Sequence, residues 1–194
     1  EAALLFLICA HALGCGGEDD AATDAGFDAG ITPRDAGPDA GPLCDPTGVT
    51  LPEPLVCNGH AELCARSYAD VSFAMAHNAM NSDEEGWAAP NQTIRLWAQL
   101  ELGIRGFMLD TYESRGQTVL CHGSCALGRR LFVDALRDLR LFLDCHPAEV
   151  VTLILVAHIE EATTARAFEE AGLMPYLDEQ PVGSEVWPTL GEMI

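Results

Sequence analysis

Short apolar runs alternate along the chain with stretches in which apolar residues recur at helical spacing. The apolar runs predict four buried strands, at 71–76, 106–109, 117–121 and 150–156. The helical spacing predicts helices over 93–102, 132–143 and about 164–171, which end at Gly103, Pro147 and Gly172. Strands that alternate with helices imply right-handed crossovers and a parallel sheet. The pattern therefore predicts the α/β class, with the run 150–156 buried on both faces.

The last residues of the chain carry a helix start. Thr189 and Glu192 form a capping box after Pro188, and the sequence stops two residues later at Ile194. In an alternating fold, a strand is expected to follow a helix that has just begun. With about four strands counted, we expect the N-terminal half of a TIM-type (β/α)8 barrel, in a sequence that is truncated at both ends.

The first 43 residues predict an export signal and a linker, and not part of the folded domain. Residues 1–15 resemble a bacterial lipoprotein signal with Cys15 as the acylated residue; a short buried helix is the alternative. At 13 residues, the apolar run 2–14 is too short to span a bilayer. Residues 16–43 repeat the triplet Asp-Ala-Gly and predict a disordered linker. We expect 44–194 to be the folded domain of an exported protein, either secreted or lipid-anchored in a bacterial cell envelope.

The charge balance is strongly acidic and restricts the partners of the protein. The chain has 30 Asp and Glu against ten Arg and no Lys, for a formal net charge of −20, and 44–194 retains 22 acids and nine Arg. A net charge this negative repels the phosphate backbones of nucleic acids, so nucleic-acid binding is excluded. It does not favour an anionic membrane surface either. We therefore expect membrane contact through the lipid anchor alone, and a monomeric protein.

Six cysteines lie in the expected domain, at positions 44, 57, 64, 121, 125 and 145. Disulfides are the default in an exported protein, and six cysteines allow fifteen pairings. Proximity in the sequence favours two local pairs and leaves a third, namely Cys57–Cys64, Cys121–Cys125 and Cys44–Cys145. A zinc site is the alternative, although no two of these cysteines have C-x2-C spacing.

Ionisable side chains follow three of the predicted strands. His77 follows the first, Asp110 the second and His122 the third, and an α/β barrel keeps its active site at the carboxyl ends of its strands. Two histidines can divide the work of acid and base, each contributing about 10²–10⁴-fold to the rate. That division suits a phosphodiester, where one oxygen loses a proton while another gains one. From the residues alone, a metal site formed by the same trio and purely structural roles remain open.

Five sequence motifs surround these residues and favour catalysis. In order they are AHNAMNS (76–82), QLELGIRGFMLDTY (99–112), LCHG (120–123), FLDCHPAEVVT (142–152) and WPTLGEMI (187–194). Together they resemble the X-domain of phosphatidylinositol-specific phospholipases C, over about residues 55–194, and most closely its secreted, cysteine-containing branch. The resemblance implies a somewhat irregular α/β barrel, in which the inositol 2-hydroxyl attacks phosphorus and diacylglycerol leaves.

The same resemblance implies a role for each matched residue. His77 would activate the hydroxyl or stabilise the phosphorane, and His122 would protonate the leaving alkoxide. Asn78 matches an Asn that contacts a catalytic calcium and the substrate. Asp110 matches a calcium-ligating Asp of the metal-dependent members.

The sequence departs from the family pattern at the metal. The calcium-dependent members carry carboxylates where Met108 and Val156 stand here. Calcium takes six to eight oxygen ligands, and these replacements leave only Asn78 and Asp110 as protein ligands, which argues against a calcium site. The metal-independent members place an Arg where Asp110 stands, so their arrangement is missing too. His158, two residues after the fourth strand, is a further candidate for substrate contact.

Two hypotheses follow from these motifs. The leading one is an exported phospholipase C-like phosphodiesterase that acts on a phospholipid or another phosphodiester, with His77 and His122 as its acid and base. Calcium is the one candidate cofactor. The alternative is a surface lipoprotein that keeps the barrel as a binding module, since the loss of carboxylates at Met108 and Val156 is how such a site would decay.

Overall fold

A computed structural model describes residues 4–8, 44–181 and 184–194 of the protein. The predicted lipidation site Cys15 and the linker 16–43 lie outside the described residues. The strands are β1 (Leu4–Ile8), β2 (Met75–Ala76), β3 (Gly106–Ser114), β4 (Gln117–Leu120), β5 (Arg130–Leu131), β6 (Val151–Ala157) and β7 (Leu177–Asp178). The α-helices are α1 (Leu96–Glu101), α2 (Phe132–Cys145), α3 (Glu161–Ala171) and α4 (Leu190–Met193). No helix in this part of the chain combines the length and apolar character needed to cross a bilayer.

One mixed sheet organises the fold, with strand order β5-β4-β3-β6-β1-β7 and β2 beside β3. Its centre is the parallel pair β3 and β6, in register from Gly106 opposite Thr152 to Thr111 opposite Ala157. On its other edge, β6 pairs in parallel with β1. The α/β class is confirmed. The pairings among the described strands do not close into a ring, so the half-barrel stays a prediction.

The third predicted strand runs in the opposite direction to the one expected. Strand β4 is antiparallel to β3, with Thr111 opposite Leu120 and Ser114 opposite Gln117. The connection consists of Arg115 and Gly116, both with positive φ, and two residues cannot make the long crossover that a parallel neighbour needs. The expectation of a wholly parallel sheet was therefore wrong at β4. The first predicted strand is also shorter than expected, since only Met75 and Ala76 pair with β3.

Helices cover one face of the sheet. The buried residues of α2 are those that the helical spacing predicted, namely Phe132, Ala135, Leu136, Leu139, Phe142 and Leu143. They form one core with the fully buried side chains of β3 and β6, namely Phe107, Leu109, Leu153 and Leu155. Helix α1 starts three residues later than predicted and α3 three residues earlier, but Gly172 ends α3 as expected, in the left-handed conformation.

The opposite face of the sheet is only partly covered. Alternate residues of β3, beginning with Met108 and Asp110, are half-buried, and Val156 of β6 is 38% exposed. The prediction that the run 150–156 is buried on both faces was therefore wrong at its carboxyl end. This half-open face carries the candidate chemistry.

A second, smaller apolar cluster lies at the amino end of β6. Val150 packs there with Cys57 and with Leu190 and Met193 of α4. The predicted capping box of α4 is confirmed, because the Thr189 hydroxyl accepts from the Glu192 backbone N–H at 3.3 Å while the Glu192 carboxylate accepts from the Thr189 N–H at 2.8 Å.

Three disulfides tie these parts together. They join Cys44 to Cys145, Cys57 to Cys64 and Cys121 to Cys125, the pairing that the sequence favours. The bridged residues are separated by 101, 7 and 4 positions respectively. The zinc alternative is thereby wrong, since all six thiols are used in bridges. The sequence separations predict very different contributions to stability.

We expect the paired change Cys44→Ser with Cys145→Ser to lower the free energy of unfolding by about 4 to 5 kcal/mol, because this bridge closes the longest loop of the unfolded chain. The matched pair Cys57→Ser with Cys64→Ser should cost about 2 to 3 kcal/mol, since its loop is short. Denaturant unfolding of the full-length protein under non-reducing conditions measures both losses. Equal losses of stability in the two variants would contradict the idea that the disulfides stabilise the protein by restricting its unfolded chain.

Candidate active site

His77 leaves the sheet directly after β2, on a tightly fixed turn. Its backbone carbonyl accepts from the Gln92 side chain at 2.7 Å, and the Ala79 N–H donates to the Met108 carbonyl of β3 at 3.1 Å. Asn78 adopts φ 48, a left-handed conformation that Asn tolerates better than most residues, and its side chain is 1% exposed. These bonds hold the exposed His77 side chain next to the carboxyl half of β3.

Asp110 lies at the middle of the half-open sheet face. Strand alternation puts its side chain on the same face as those of Met108 and Tyr112, and the register places it beside Val156 of β6. Burial raises the pKa of Asp110, while the charges of His122, His158 and His77 oppose that rise. The charges of three imidazoles therefore act on this one carboxylate.

His122 reaches the site by a different route from the one expected. It follows β4, the antiparallel return strand, and the N–H of the preceding residue, Cys121, donates to the Asp110 carbonyl at 3.3 Å. The Cys121–Cys125 disulfide closes a short loop around the exposed imidazole. The hairpin thus brings His122 back to Asp110, although the predicted strand direction was wrong.

His158 extends β6 by one further step, and its N–H donates to the Thr111 carbonyl at 3.0 Å. In the β3–β6 register it falls beside Tyr112, and the two rings stack at 4.3 Å between centroids with 15° between planes. Burial and the Asp110 charge raise the pKa of Tyr112, while the nearby Gly123 N–H opposes that rise. Tyr112 therefore connects the His158 end of the site to the His122 loop.

An amide cluster lies beneath the histidines. Asn81 is 2% exposed, and its Nδ2 is 3.1 Å from Asn91 Oδ1 and 3.3 Å from His122 Nδ1. Asn78 Nδ2 approaches the same Asn91 oxygen at 3.4 Å. No sequence pattern assigned a role to Asn81, Asn91 or Tyr112. Asn81 and Tyr112 stand inside the family motifs, but no spacing rule indicates contacts with residues as distant as 41 and 46 positions.

The donors around Asp110 do not suit calcium. Its neighbour across the sheet is Val156, and Met108 precedes it on the same face, so neither position offers an oxygen. Within the described ranges, no three His, Cys, Asp or Glu side chains are arranged to hold a metal ion. The two residues named from sequence, Asn78 and Asp110, would have to supply the protein ligands alone. The imidazoles and the carboxylate are therefore the groups available for chemistry at this site.

The arrangement supports proton transfer on a phosphate or a similar group. Imidazole is the side chain that serves most often in acid–base catalysis, and a carboxylate among three exposed imidazoles can stabilise their charged forms. The half-open face gives a bound molecule direct access to all of them.

Comparison with known proteins assigns the chain to a family. The family model described as PI-PLC X 1 matches residues 63–194. The chain is 33% identical over 153 residues, or 72% of its length, to a PI-PLC X domain-containing protein of Arthroderma benhamiae, of which the match covers 48%. It is 30% identical over 139 residues, or 63% of its length, to a PI-PLC X domain-containing protein of Arabidopsis thaliana, of which 33% is covered.

A further similar protein is described as secreted. It also comes from Arthroderma benhamiae and is 31% identical over 146 residues, or 71% of this chain and 32% of that protein. No solved structure matches the chain significantly. The chain spans about half, or less, of the length of the curated relatives it matches. Because the family model covers more than half of the sequence, including His77, Asp110 and His122, the chain belongs to the PI-PLC X domain family.

Proposed function

We propose that the protein cleaves a phosphodiester by acid–base catalysis, with His77 and His122 as the catalytic pair. The observation that carries this proposal is that His77, His122 and His158 each follow a strand of the sheet around the half-buried Asp110, where the charge of each acts on that carboxylate. These residues come from four separate segments of the chain, and a purely structural role gives no reason to gather exposed imidazoles at one place. Membership of the PI-PLC X domain family supports the same chemistry.

In the proposed reaction, one histidine accepts a proton and the other donates one. His77 takes the proton of an attacking hydroxyl as its oxygen bonds to phosphorus. The bond from phosphorus to the leaving oxygen breaks, and His122 protonates that oxygen. The pair ends with His77 protonated and His122 neutral, so proton exchange must restore the starting state. If the attacking hydroxyl belongs to the substrate, as in inositol lipids, the product is a cyclic phosphodiester.

The remaining polar groups bind the substrate in this proposal. Protonated His158 offsets the negative charge of the phosphate, and its stacking on Tyr112 fixes the ring plane. Asp110 accepts hydrogen bonds from substrate hydroxyls and stabilises the charged imidazoles. Asn78 is 1% exposed and directs its Nδ2 to Asn91, so in this proposal it supports the turn that carries His77 and does not contact the phosphate. The apolar Met108 and Val156 line the floor, as expected of side chains inside an α/β barrel, which we propose as the complete fold.

Export is part of the proposal. Three disulfides suit an oxidising compartment, and one relative is described as secreted. A lipid at Cys15 would then keep the acidic domain near a membrane that its charge alone does not favour. Soluble inositol phosphodiesters and lipid vesicles should both be offered as substrates, because the net negative charge disfavours a strongly anionic vesicle surface.

The second candidate is a binding module without turnover. The apolar Met108 and Val156 beside Asp110 favour it, since they remove the carboxylates of the calcium-dependent members. Calorimetric titration of the full-length protein with inositol phosphate separates the two. Binding accompanied by no product release from any phosphodiester would favour the binding module over the enzyme.

We expect His77→Ala and His122→Ala each to lower kcat by about 10² to 10⁴-fold, because each removes one proton transfer. Release of a cyclic inositol phosphate from phosphatidylinositol, and of product from soluble phosphodiesters, measures the loss. His60→Ala is the matched control, since His60 is an exposed loop histidine between Cys57 and Cys64. If both active-site variants retain wild-type rates, the assignment is wrong.

Asp110→Asn should lower kcat about 10- to 100-fold, the effect of losing a hydrogen bond to a charged group. The same change should stabilise the protein at pH 8. Since burial raises the pKa of Asp110 in the folded state, the stability that its protonated form contributes at low pH is lost as the pH rises through that pKa. Denaturant midpoints of both proteins should show that the stability gained by Asp110→Asn becomes smaller as the pH falls towards 4. A loss of stability at pH 8 would instead make Asp110 a structural carboxylate.

A calcium chelator should leave the activity of the wild-type protein unchanged. The expectation follows from the donor set, in which Met108 and Val156 offer no oxygen to a cation beside Asp110. Product release is measured with excess chelator and again after calcium is added back. Activity that disappears with the chelator and returns with calcium would overturn this expectation.

A further inference from the structure

Two loops contain or follow the histidines of the proposed catalytic pair. We call residues 78–92, which follow His77, the first loop, and residues 122–129, which begin with His122, the second loop. The far end of the first loop returns to its start, because the Gln92 side chain donates to the His77 carbonyl at 2.7 Å. A displacement of the first loop would therefore move the backbone that carries His77.

The two loops pack directly against each other. The Ala88 N–H of the first loop donates to the Leu127 carbonyl of the second loop at 2.7 Å. The Trp87 ring is 6% exposed and lies so close to Gly128 that a Cβ at that position would come within 2.6 Å of the ring. The glycine thus allows the indole to cover the backbone of the second loop.

An ion triad of Glu85, Arg130 and Asp138 crosses the same contact. Arg130, which follows the second loop in β5, donates from Nη1 to Glu85 of the first loop at 3.3 Å and from Nη2 to Asp138 of α2 at 2.6 Å. The other Glu85 oxygen accepts from the hydroxyl of the fully buried Ser82 at 2.9 Å. The three charged side chains are only 20 to 26% exposed. One guanidinium therefore joins both loops to a helix of the core.

The physical chemistry of the triad favours a role in positioning over a role in stability. Taking charged groups out of water costs about as much free energy as their attraction returns, so such pairs add little net stability. Their directional bonds nevertheless fix where the bonded segments lie. A guanidinium can hold two carboxylates at once because its donors are spread over a planar fork. The triad therefore sets how the two loops lie relative to each other.

We propose that Arg130 and Glu85 are positioning residues, which lock the first loop onto the second and so fix His77 and His122 relative to each other. The inference rests on the proposed function, in which both imidazoles must reach the same phosphate. Both residues act through the loops, since their charged groups are bonded within the triad. A displacement of about 1 Å between catalytic groups can lower a rate about 100-fold, so a small relaxation of this contact is measurable in kcat.

The first test is kinetic and uses the full-length protein. Glu85→Ala removes the link to the first loop and leaves Arg130 paired with Asp138, so kcat should fall about 10- to 100-fold. KM should change little, because the groups proposed to bind the substrate lie on β3 and at the end of β6. Glu149→Ala is the matched control, since Glu149 is 14% exposed and pairs with Arg105 at 2.7 Å just before β6. It should lower stability at least as much without changing kcat, and a wild-type kcat in Glu85→Ala would overturn the positioning role.

Arg130→Lys is a second variant, which keeps the proposal testable if Glu85→Ala does not fold. Lysine keeps the positive charge, but its ammonium is a point charge that cannot hold both carboxylates in the geometry of the fork. We expect kcat to fall about 10-fold or more, again with little change in KM. A wild-type kcat in the folded Arg130→Lys variant would contradict the proposal.

The second test requires no turnover. Amide hydrogen exchange of the full-length protein, followed by NMR, reports on the Ala88 N–H, whose bond to Leu127 joins the two loops. Its exchange should be about 10-fold or more faster in Glu85→Ala, the factor expected for losing a hydrogen bond to a charged group. Exchange at Ala88 should stay at the wild-type rate in Glu149→Ala. An unchanged rate in Glu85→Ala would show that the triad does not lock the loops.

The two readouts separate this inference from the proposed function. If the wild type cleaves no phosphodiester while Ala88 exchange accelerates in Glu85→Ala, the proposed reaction is wrong and the lock between the loops is supported. If the wild type is active and Glu85→Ala keeps both the wild-type kcat and the wild-type exchange rate, the reaction stands and the lock is wrong.

Discussion

Strand β3 packs Phe107, Leu109 and Thr111 against the helical layer and turns Asp110 to the opposite side of the sheet. A shift of one residue in its pairing would exchange the two faces and place the carboxylate in the apolar core. An ionised carboxylate buried there costs several kcal/mol without a partner. The hydrophobic face of α2 therefore fixes the register of β3, and that register fixes where the acid stands relative to β6.

The parts of the fold that depend on local patterns could be predicted from the sequence. The buried face of α2 follows from helical spacing, and the capping box of α4 from Thr189 and Glu192, because these signals lie within a few residues of one another. The direction of β4 was mispredicted, since an apolar run does not say which way its neighbour runs. The information was in the turn at Arg115 and Gly116, which is too short for a crossover.

The candidate site divides in the same way. His77, Asp110 and His122 could be predicted because each follows or ends an apolar run inside a recognisable motif. Asn81 could not be, since its contact with His122 joins positions 41 apart and depends on the hairpin that returns β4 to Asp110. The stacking of Tyr112 on His158 likewise depends on the register of two strands. Such contacts come from tertiary packing and cannot be predicted from the spacing of neighbouring residues in the sequence.

Electrostatics then limits how an anionic substrate can use this site. Asp110 already carries a half-buried negative charge in a strongly acidic domain, and Met108 and Val156 offer a cation no ligands. In the proposed reaction a phosphodiester would add a second negative charge next to it, and the imidazoles are the neighbouring groups that could offset that charge. The imidazoles would therefore take over the charge-neutralising task that calcium performs in the metal-dependent members of the family.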